Sequence, residues 1–422
     1  MRKSKYTIQI ENEKEKLKII ELPNHLKLIY DFMPELKSFS LGISAMVGSR
    51  EDPNDKPGEA HFLEHQLFRR NQHRTSTQTT REFERTGTIN NAFTESEYTV
   101  FFIKSLNEHF KKVFRLLADF ILCPVFEERD FLKEQKIILE EIKSYEDDPE
   151  EYIFDLGNTL VFPNHSLGNP IAGTIKSVSN FQQSDISVFF DKYYNAENLV
   201  ISYAGSHSLQ EVSDFANELF IDFKNTETKY SRQPIPTNIL DKLIVKKKIE
   251  QSHILMLKRF DNINSDFILK LKLLNYIIGE GPSSFINQNI RERQAIAYSA
   301  FSIVEHFTDT NLMQIYFATD KNAISKSKDL LNEIFEKIGN KKITQDLFTI
   351  SKNALLAQNI YKNETSYERM LNNIRLYQLD GNFNFDRDFE KNIKSINYED
   401  FLIWASALFK DIKFSEVQIL QK

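Results

Sequence analysis

A chain of 422 residues, 41% hydrophobic and 27% charged, is globular in composition and too long for one ordinary core, so two to three domains are expected. Its 54 basic against 60 acidic residues leave a net charge of −6, which argues against general nucleic-acid binding because that needs a basic face. The single cysteine, Cys123, excludes an internal disulfide, the first twenty residues lack the apolar core of a secretory signal, and no apolar run reaches the ~18–20 residues of a membrane span, so a cytoplasmic protein with no membrane span is expected.

In chain order, residues 25–33 (HLKLIYDFM) and 38–49 (SFSLGISAMVGS) read as strands, being rich in β-branched and aromatic residues. A helix follows Pro57-Gly58 over 58–70 (GEAHFLEHQLFRR), then a strand pair over 90–106 and an amphipathic helix over 106–122. A second long helix, 129–148, stops before Pro149; a strand at 198–206 and a helix near 208–222 come next. Residues 224–238, polar with two prolines and no periodicity, read as a linker between a first domain, 1–223, and a second, 239–422. The second half repeats the alternation, with strand-like 251–260, helix-like 266–281, strand-like 295–306 and 310–320, and late helices.

Chemistry concentrates in the helix at 58–70. At about 100° per residue, His61, Glu64 and His65 fall on one arc, so two imidazoles can meet one ion with a carboxylate aimed at its open side. A third ligand is available in the helix at 129–148, where Glu134 and Glu141 lie seven apart on one face and Glu140 points elsewhere. Ile137, Ile138 and Ile142 surround Glu141, predicting a buried carboxylate in need of a cation. Three protein ligands and one open position are the form of a catalytic zinc site. The other histidines have no spacing partner and read as structural or surface residues, His165 as a loop-packing one.

H-x-x-E-H is the inverted zinc-protease motif, and the chain resembles the pitrilysin and mitochondrial-processing-peptidase family, class M16. VGSREDPNDKPGEAHFLEHQLF resembles its lead-in and zinc helix, and Glu141 stands 76 residues after His65, where the family has its third ligand. GTINNAFTESEYTVF resembles its substrate-pairing edge strand, HSLGNPIAGT and YYNAENLVISYAG the later part of its first domain, and GEGPSSFINQNIRERQAIAYS its arginine–tyrosine segment. Gln66 stands where the family has methionine, next to the site, and QAIAY lacks a glycine of the family's turn.

The resemblance implies the α+β class, with two similar mixed α/β domains in the half-clamshell of LuxS/MPP-like metallopeptidases. It implies one zinc per chain on His61, His65 and Glu141, with Glu64 as general base and Glu134 orienting a ligand histidine or the water. It further implies substrate binding by the strand Asn91, Ala92, Phe93 and by Arg291 and Tyr298, the tyrosine also donating to the oxyanion. A zinc endopeptidase for flexible peptides follows, working as a homodimer or as a heterodimer with another such chain. The rival readings are a non-catalytic partner subunit and a protein that binds peptides without cutting them; the intact motif argues against the first.

Overall fold

Two sheets, each with apolar side chains on both faces, organise the chain. The computed structural model describes residues 7–12, 17–225, 232–292, 297–380 and 389–422, the side chains of 7–12, 291–292, 297–298 and 380 excepted. One compact unit comprises Met1–Lys143, Asn169–Pro234 and Lys362–Phe383; the other comprises Ser144–Gly168, Ile235–Tyr361 and Asn384–Lys422.

The first unit holds strands β1 (Thr7–Asn12), β2 (Leu17–Glu21), β3 (Lys27–Phe32), β4 (Ser38–Ala45), β5 (Ile89–Thr94), β6 (Thr99–Leu106) and β7 (Leu199–Gly205) in the order β1-β2-β3-β7-β4-β6-β5. Only β3 and β7 pair in parallel; the other neighbours are antiparallel. Strand β5 is an edge, bonded among the described residues to β6 alone, so its outer row of amides and carbonyls is available to another strand. Helices α1 (Glu59–Leu67) and α2 (Ser76–Glu84) join β4 to β5, and α3 (Phe110–Leu122) and α4 (Glu128–Asp147) follow β6. Phe62 and Leu63 of α1 pack with Phe131, Ile138 and Ile142 of α4 in the main core of this unit.

The next helix, α5 (Pro149–Val161), belongs to the other unit. Asp148 caps it, accepting from the backbone N–H of Glu150 and Glu151, and Pro149 sits at its first position, where the missing N–H costs nothing. The chain then returns to the first unit for α6 (Ile175–Asn180), α7 (Gln183–Tyr193) and α8 (Leu209–Phe220).

The second unit holds β8 (Lys242–Lys247), β9 (Ser252–Phe260), β10 (Ala297–His306), β11 (Asn311–Thr319) and β12 (Ser415–Gln421) in the order β10-β11-β9-β12-β8. Strand β9 alternates, sending Ile254 into a core with α9 (Ser265–Asn275), α10 (Ile324–Gly339) and α11 (Gln345–Tyr361), while Leu255 and Leu257 face Ile153 and Leu160 of α5. Gly157 lets that helix lie close, since a Cβ there would stand 2.7 Å from Leu255 Cδ2.

Helix α12 (Ser366–Asp380) then goes back to the first unit, where Met370, Leu371 and Ile374 cover the second face of its sheet against Val100, Phe102 and Ala204. The Arg369 guanidinium grips Asp31 through two hydrogen bonds of 2.7 and 2.5 Å, and Asn373 adds a third of 3.1 Å. The last helices are α13 (Phe389–Ser395) and α14 (Tyr398–Phe409). Each unit thus takes one helix from the opposite half of the chain, because a sheet apolar on both faces needs cover on both.

The unit boundary at Pro234/Ile235 lies within the stretch read as a linker, of which 226–231 fall outside the described residues. Arg232, just beyond them, is tied to Glu51 at 2.7 Å and to Glu97 at 3.0 Å.

Candidate metal centre

Helix α1 is held at its N-terminus from a distance. Gly58, at the N-cap with φ +103°, has no side chain, so Asp52 supplies the cap: its carboxylate accepts from the N–H of Gly58 at 2.7 Å and of Ala60 at 2.9 Å. Burial pushes the Asp52 carboxyl well above its usual range, and those two N–H groups pull the other way. A Cβ on Gly58 would meet the carbonyl of Ala172 at 2.8 Å, so both the backbone angle and the space call for glycine.

From this fixed start, α1 turns His61 and His65 to one side, their ring centroids 4.7 Å apart. The Nε2 atoms approach the Glu141 carboxylate at 3.8 Å from His61 and 3.7 Å from His65. One donor atom from each residue lies within 4.8 Å of the others, a gap in which a single ion can touch all three. Burial, with a smaller effect from His65, pushes His61 down to about 3, so its imidazole is neutral and able to ligate. The His65 Nδ1 lies 2.9 Å from Glu134 Oε2, which fixes the proton on Nδ1 and leaves Nε2 as an acceptor. Two imidazole nitrogens and a carboxylate oxygen suit zinc.

Burial along α4 differs from the sequence expectation. Glu141 is 27% exposed, and Ile137, expected to help bury it, is itself 46% exposed; only Ile138 and Ile142 are buried. The sealed carboxylate is Glu134, 2% exposed, clamped between His65 and the Arg69 guanidinium. Glu140 points to solvent, as expected from the helical period. Gln66 is buried and donates to the carbonyl of Asp130 at 3.4 Å, so it docks α1 on α4 instead of shaping the site.

Glu64 lies beside the donor trio, 9% exposed, and burial raises its carboxyl above the usual range. Its Oε2 accepts a 2.6 Å hydrogen bond from the hydroxyl of Thr94, the last residue of β5. On that strand Ala92 leans against the main core, Phe93 packs on Tyr98 and Phe102, and the exposed Asn91 folds its carbonyl onto the Ala92 N–H at 2.9 Å. Arg291 lies in a π-helical turn and Tyr298 in β10, both in the second unit; their side chains fall outside the described residues.

Three residues here escape a reading of the sequence alone: Asp52, Arg69 and Thr94. Thr94 had a signal, for it lies two positions from Ala92 and so faces the same way. Arg69 follows His65 by one turn, a weaker hint. Asp52 had none.

A second trio, His73, Asp119 and Cys123, also comes within ligand range of one ion. Arg74 already donates to Asp119 at 2.6 Å, and a guanidinium there opposes a cation. His165 does pack a loop, accepting from the Leu167 N–H at 3.1 Å.

The sequence profile described as Insulinase (Peptidase family M16) matches residues 31–175, and that described as Peptidase M16 inactive domain matches 180–355. An uncharacterized zinc protease of Rickettsia bellii is 31% identical over 358 residues, covering 83% of this chain and 86% of that protein. The chain belongs to the M16 peptidase family. Another relative, the uncharacterized zinc protease YmxG of Bacillus subtilis, is 29% identical over 350 residues, 83% of this chain and 85% of its own. A protease from Helicobacter pylori has the same fold, with a TM-score of 0.88 at 21% identity over 96% of this chain and 99% of that one. So does a peptidase M16 inactive domain from Pseudomonas fluorescens, with a TM-score of 0.87 at 16% identity over 96% and 99%. The fold is therefore the expected α+β arrangement of two similar domains. Among the described residues, both trios of candidate ligands lie in the segment matched by the insulinase profile, outside the segment matched by the inactive domain.

Proposed function

We propose that the chain is a zinc-dependent endopeptidase for extended, flexible peptides. The observation that carries this reading is the convergence of His61, His65 and Glu141 beside Glu64, with Glu64 bonded to the end of a strand whose outer edge is open. His61, His65 and Glu141 would hold one zinc per chain, which when bound supplies Lewis acidity toward water and the peptide carbonyl. Glu64 takes the proton of the attacking water and returns it to the leaving amine. Glu134 holds the His65 ring in the ligating tautomer. Substrate backbone joins β5 at Asn91–Ala92–Phe93, which fixes an extended peptide with little demand on its sequence.

The roles of Arg291 and Tyr298 in gripping substrate carbonyls and the oxyanion rest on the family resemblance. So does a chamber completed by a second chain, whereas the division into a zinc-binding domain over 1–223, a linker over 224–238 and a substrate-gripping domain over 239–422 rests on the polar, proline-bearing composition of that linker. Cleavage of a quenched flexible peptide, with and without chelator, tests the activity. Wild-type protein should cut and lose its activity to chelator; Glu64→Gln should retain zinc and fold while losing turnover. A Glu64→Gln protein cutting at near wild-type rate would overturn the mechanism.

A further inference from the structure

Glu64 is a flexible side chain asked to stand in one place. Its Oε2 accepts from Thr94 at 2.6 Å, a length typical of a hydroxyl donating to an ionised carboxylate. Among the described residues no other hydrogen bond reaches Glu64, so this one fixes the carboxylate and leaves Oε1 free for water. Thr94 is a rigid anchor. Its β-branched side chain is restricted at χ1, and its backbone closes a hairpin, with Thr94 paired to Thr99 and the Glu95 N–H bonded to the carbonyl of Tyr98 at 2.8 Å. The same strand carries Ala92 two residues earlier, and its open edge runs alongside.

We propose that Thr94 is a positioning residue: its hydroxyl sets the Glu64 carboxylate, and it does so from the strand that substrate would join. The inference rests on the peptidase reading of the site. It adds that base and substrate backbone are referenced to one piece of the protein, β5, so that pairing a peptide on that edge brings the scissile carbonyl and the base into a common register. Thr94 itself need touch neither zinc nor peptide. Its loss should therefore lower kcat and leave substrate affinity and metal content alone.

The experiment compares wild type, Thr94→Val and Thr94→Ser on a quenched flexible peptide, with zinc content measured for each. Peptide binding is followed separately by fluorescence anisotropy in Glu64→Gln and Glu64→Gln/Thr94→Val. Valine keeps the branched shape and removes the donor. Losing a hydrogen bond to a charged group should lower kcat by about 10–100-fold with little change in KM. Serine keeps the donor and should recover most of the rate. The two Glu64→Gln proteins should bind the peptide equally, because the bond to the carboxylate is then no longer at stake. Thr94→Val with wild-type kcat overturns the proposal. So does a loss that falls on KM, on peptide binding or on zinc, since each would make Thr94 part of the strand's surface or of the fold. Wild-type protein that shows no chelator-sensitive cleavage overturns the peptidase reading itself, a separate outcome.

Discussion

Glu134→Gln is the most informative single change to the candidate metal centre, because the carboxylate it removes is none of the three candidate ligands. Glu134 is 2% exposed, with Oε2 at 2.9 Å from His65 Nδ1 and Oε1 against Arg69. Both neighbours are donors, so the site asks for two acceptors. Glutamine has nearly the same shape but one acceptor, and its amide NH2 must face either the imidazole N–H or the guanidinium. Turned toward Arg69, it leaves a partly buried cation without its counter-charge; turned toward His65, it pushes the ring away from the tautomer that ligates.

A lost hydrogen bond to a charged group is worth about 1.5–3 kcal/mol, which corresponds to roughly 10–100-fold in zinc affinity, the range usual for partners of a ligating histidine. Competition against a chelator of known affinity would measure it, with thermal unfolding of the zinc-free protein as control. If zinc affinity is unchanged, Glu134 does not hold His65 for the metal. If affinity falls only as far as the zinc-free protein has lost stability, the carboxylate is a structural clamp between α1 and α4, and the orienting role is refuted.

Other consequences are equally direct. His61→Ala, His65→Ala and Glu141→Ala should each abolish stoichiometric zinc by elemental analysis, three ligands leaving little redundancy. Gly58→Ala forces a Cβ into an αL position 2.8 Å from a carbonyl and should cost about 1–2 kcal/mol or more, read as a lower unfolding temperature. Arg369→Ala strips the buried Asp31 of its cation and should cost about 3–5 kcal/mol, seen as faster hydrogen exchange in α12. Burial, with help from Glu151 and Glu146, raises Asp155 to about 6, so its ionised form is disfavoured in the fold: the cost is absent below the unfolded value, grows as pH rises, and is complete above about 6. Asp155→Asn should therefore stabilise by about 1–3 kcal/mol at pH 8 and by little at pH 4, and a gain independent of pH would contradict this. A flexible peptide should be cut far faster than a folded globular protein, because only an extended backbone can join β5.

How much of this was legible follows from what periodicity encodes. The strands β3, β4, β5 and β6 and the helices α1, α3 and α4 lie where alternation and helical spacing put them. The run 266–281 reads as one helix but breaks into α9 and a π-helical turn at Tyr276–Glu280, where a Cβ on Gly279 would meet Ser302 of β10 at 2.6 Å. The short strands β1 and β2, six and five residues long, were not read from the sequence. Nor does any local pattern say that α5 covers one sheet and α12 the other, because amphipathicity records that a helix has an apolar face, never which face it meets. In the site, spacing pointed to the residues that converge, His61, His65 and Glu141 with Glu64 beside them, since these share two helices. Asp52 and Thr94 act from loop and strand through contacts spanning 8 and 30 residues, and no period connects them to α1.

The inversion of burial between Glu134 and Glu141 has a physical logic that neighbouring residues alone could not supply. Both lie on one face of α4, about 10.5 Å apart along the axis, so the helix can sink one while raising the other. Glu134 has its countercharges built in, Arg69 and a histidine N–H, so sealing it from water leaves no charge unmet. Among the described residues Glu141 is paired with His61, neutral through burial, and with the outer nitrogen of His65; under the proposed function its full partner is a cation that enters from solvent. A carboxylate so placed stays hydrated, and on the proposed reading it waits there for the ion. The exposure of Ile137 follows from the same requirement: one turn before Glu141 on the same stripe, it is open because the stripe is open. Buried isoleucines at 138 and 142 mark the neighbouring stripe that holds α4 against α1. Apolar neighbours in sequence therefore located the packed side of the helix correctly and assigned the wrong carboxylate to it.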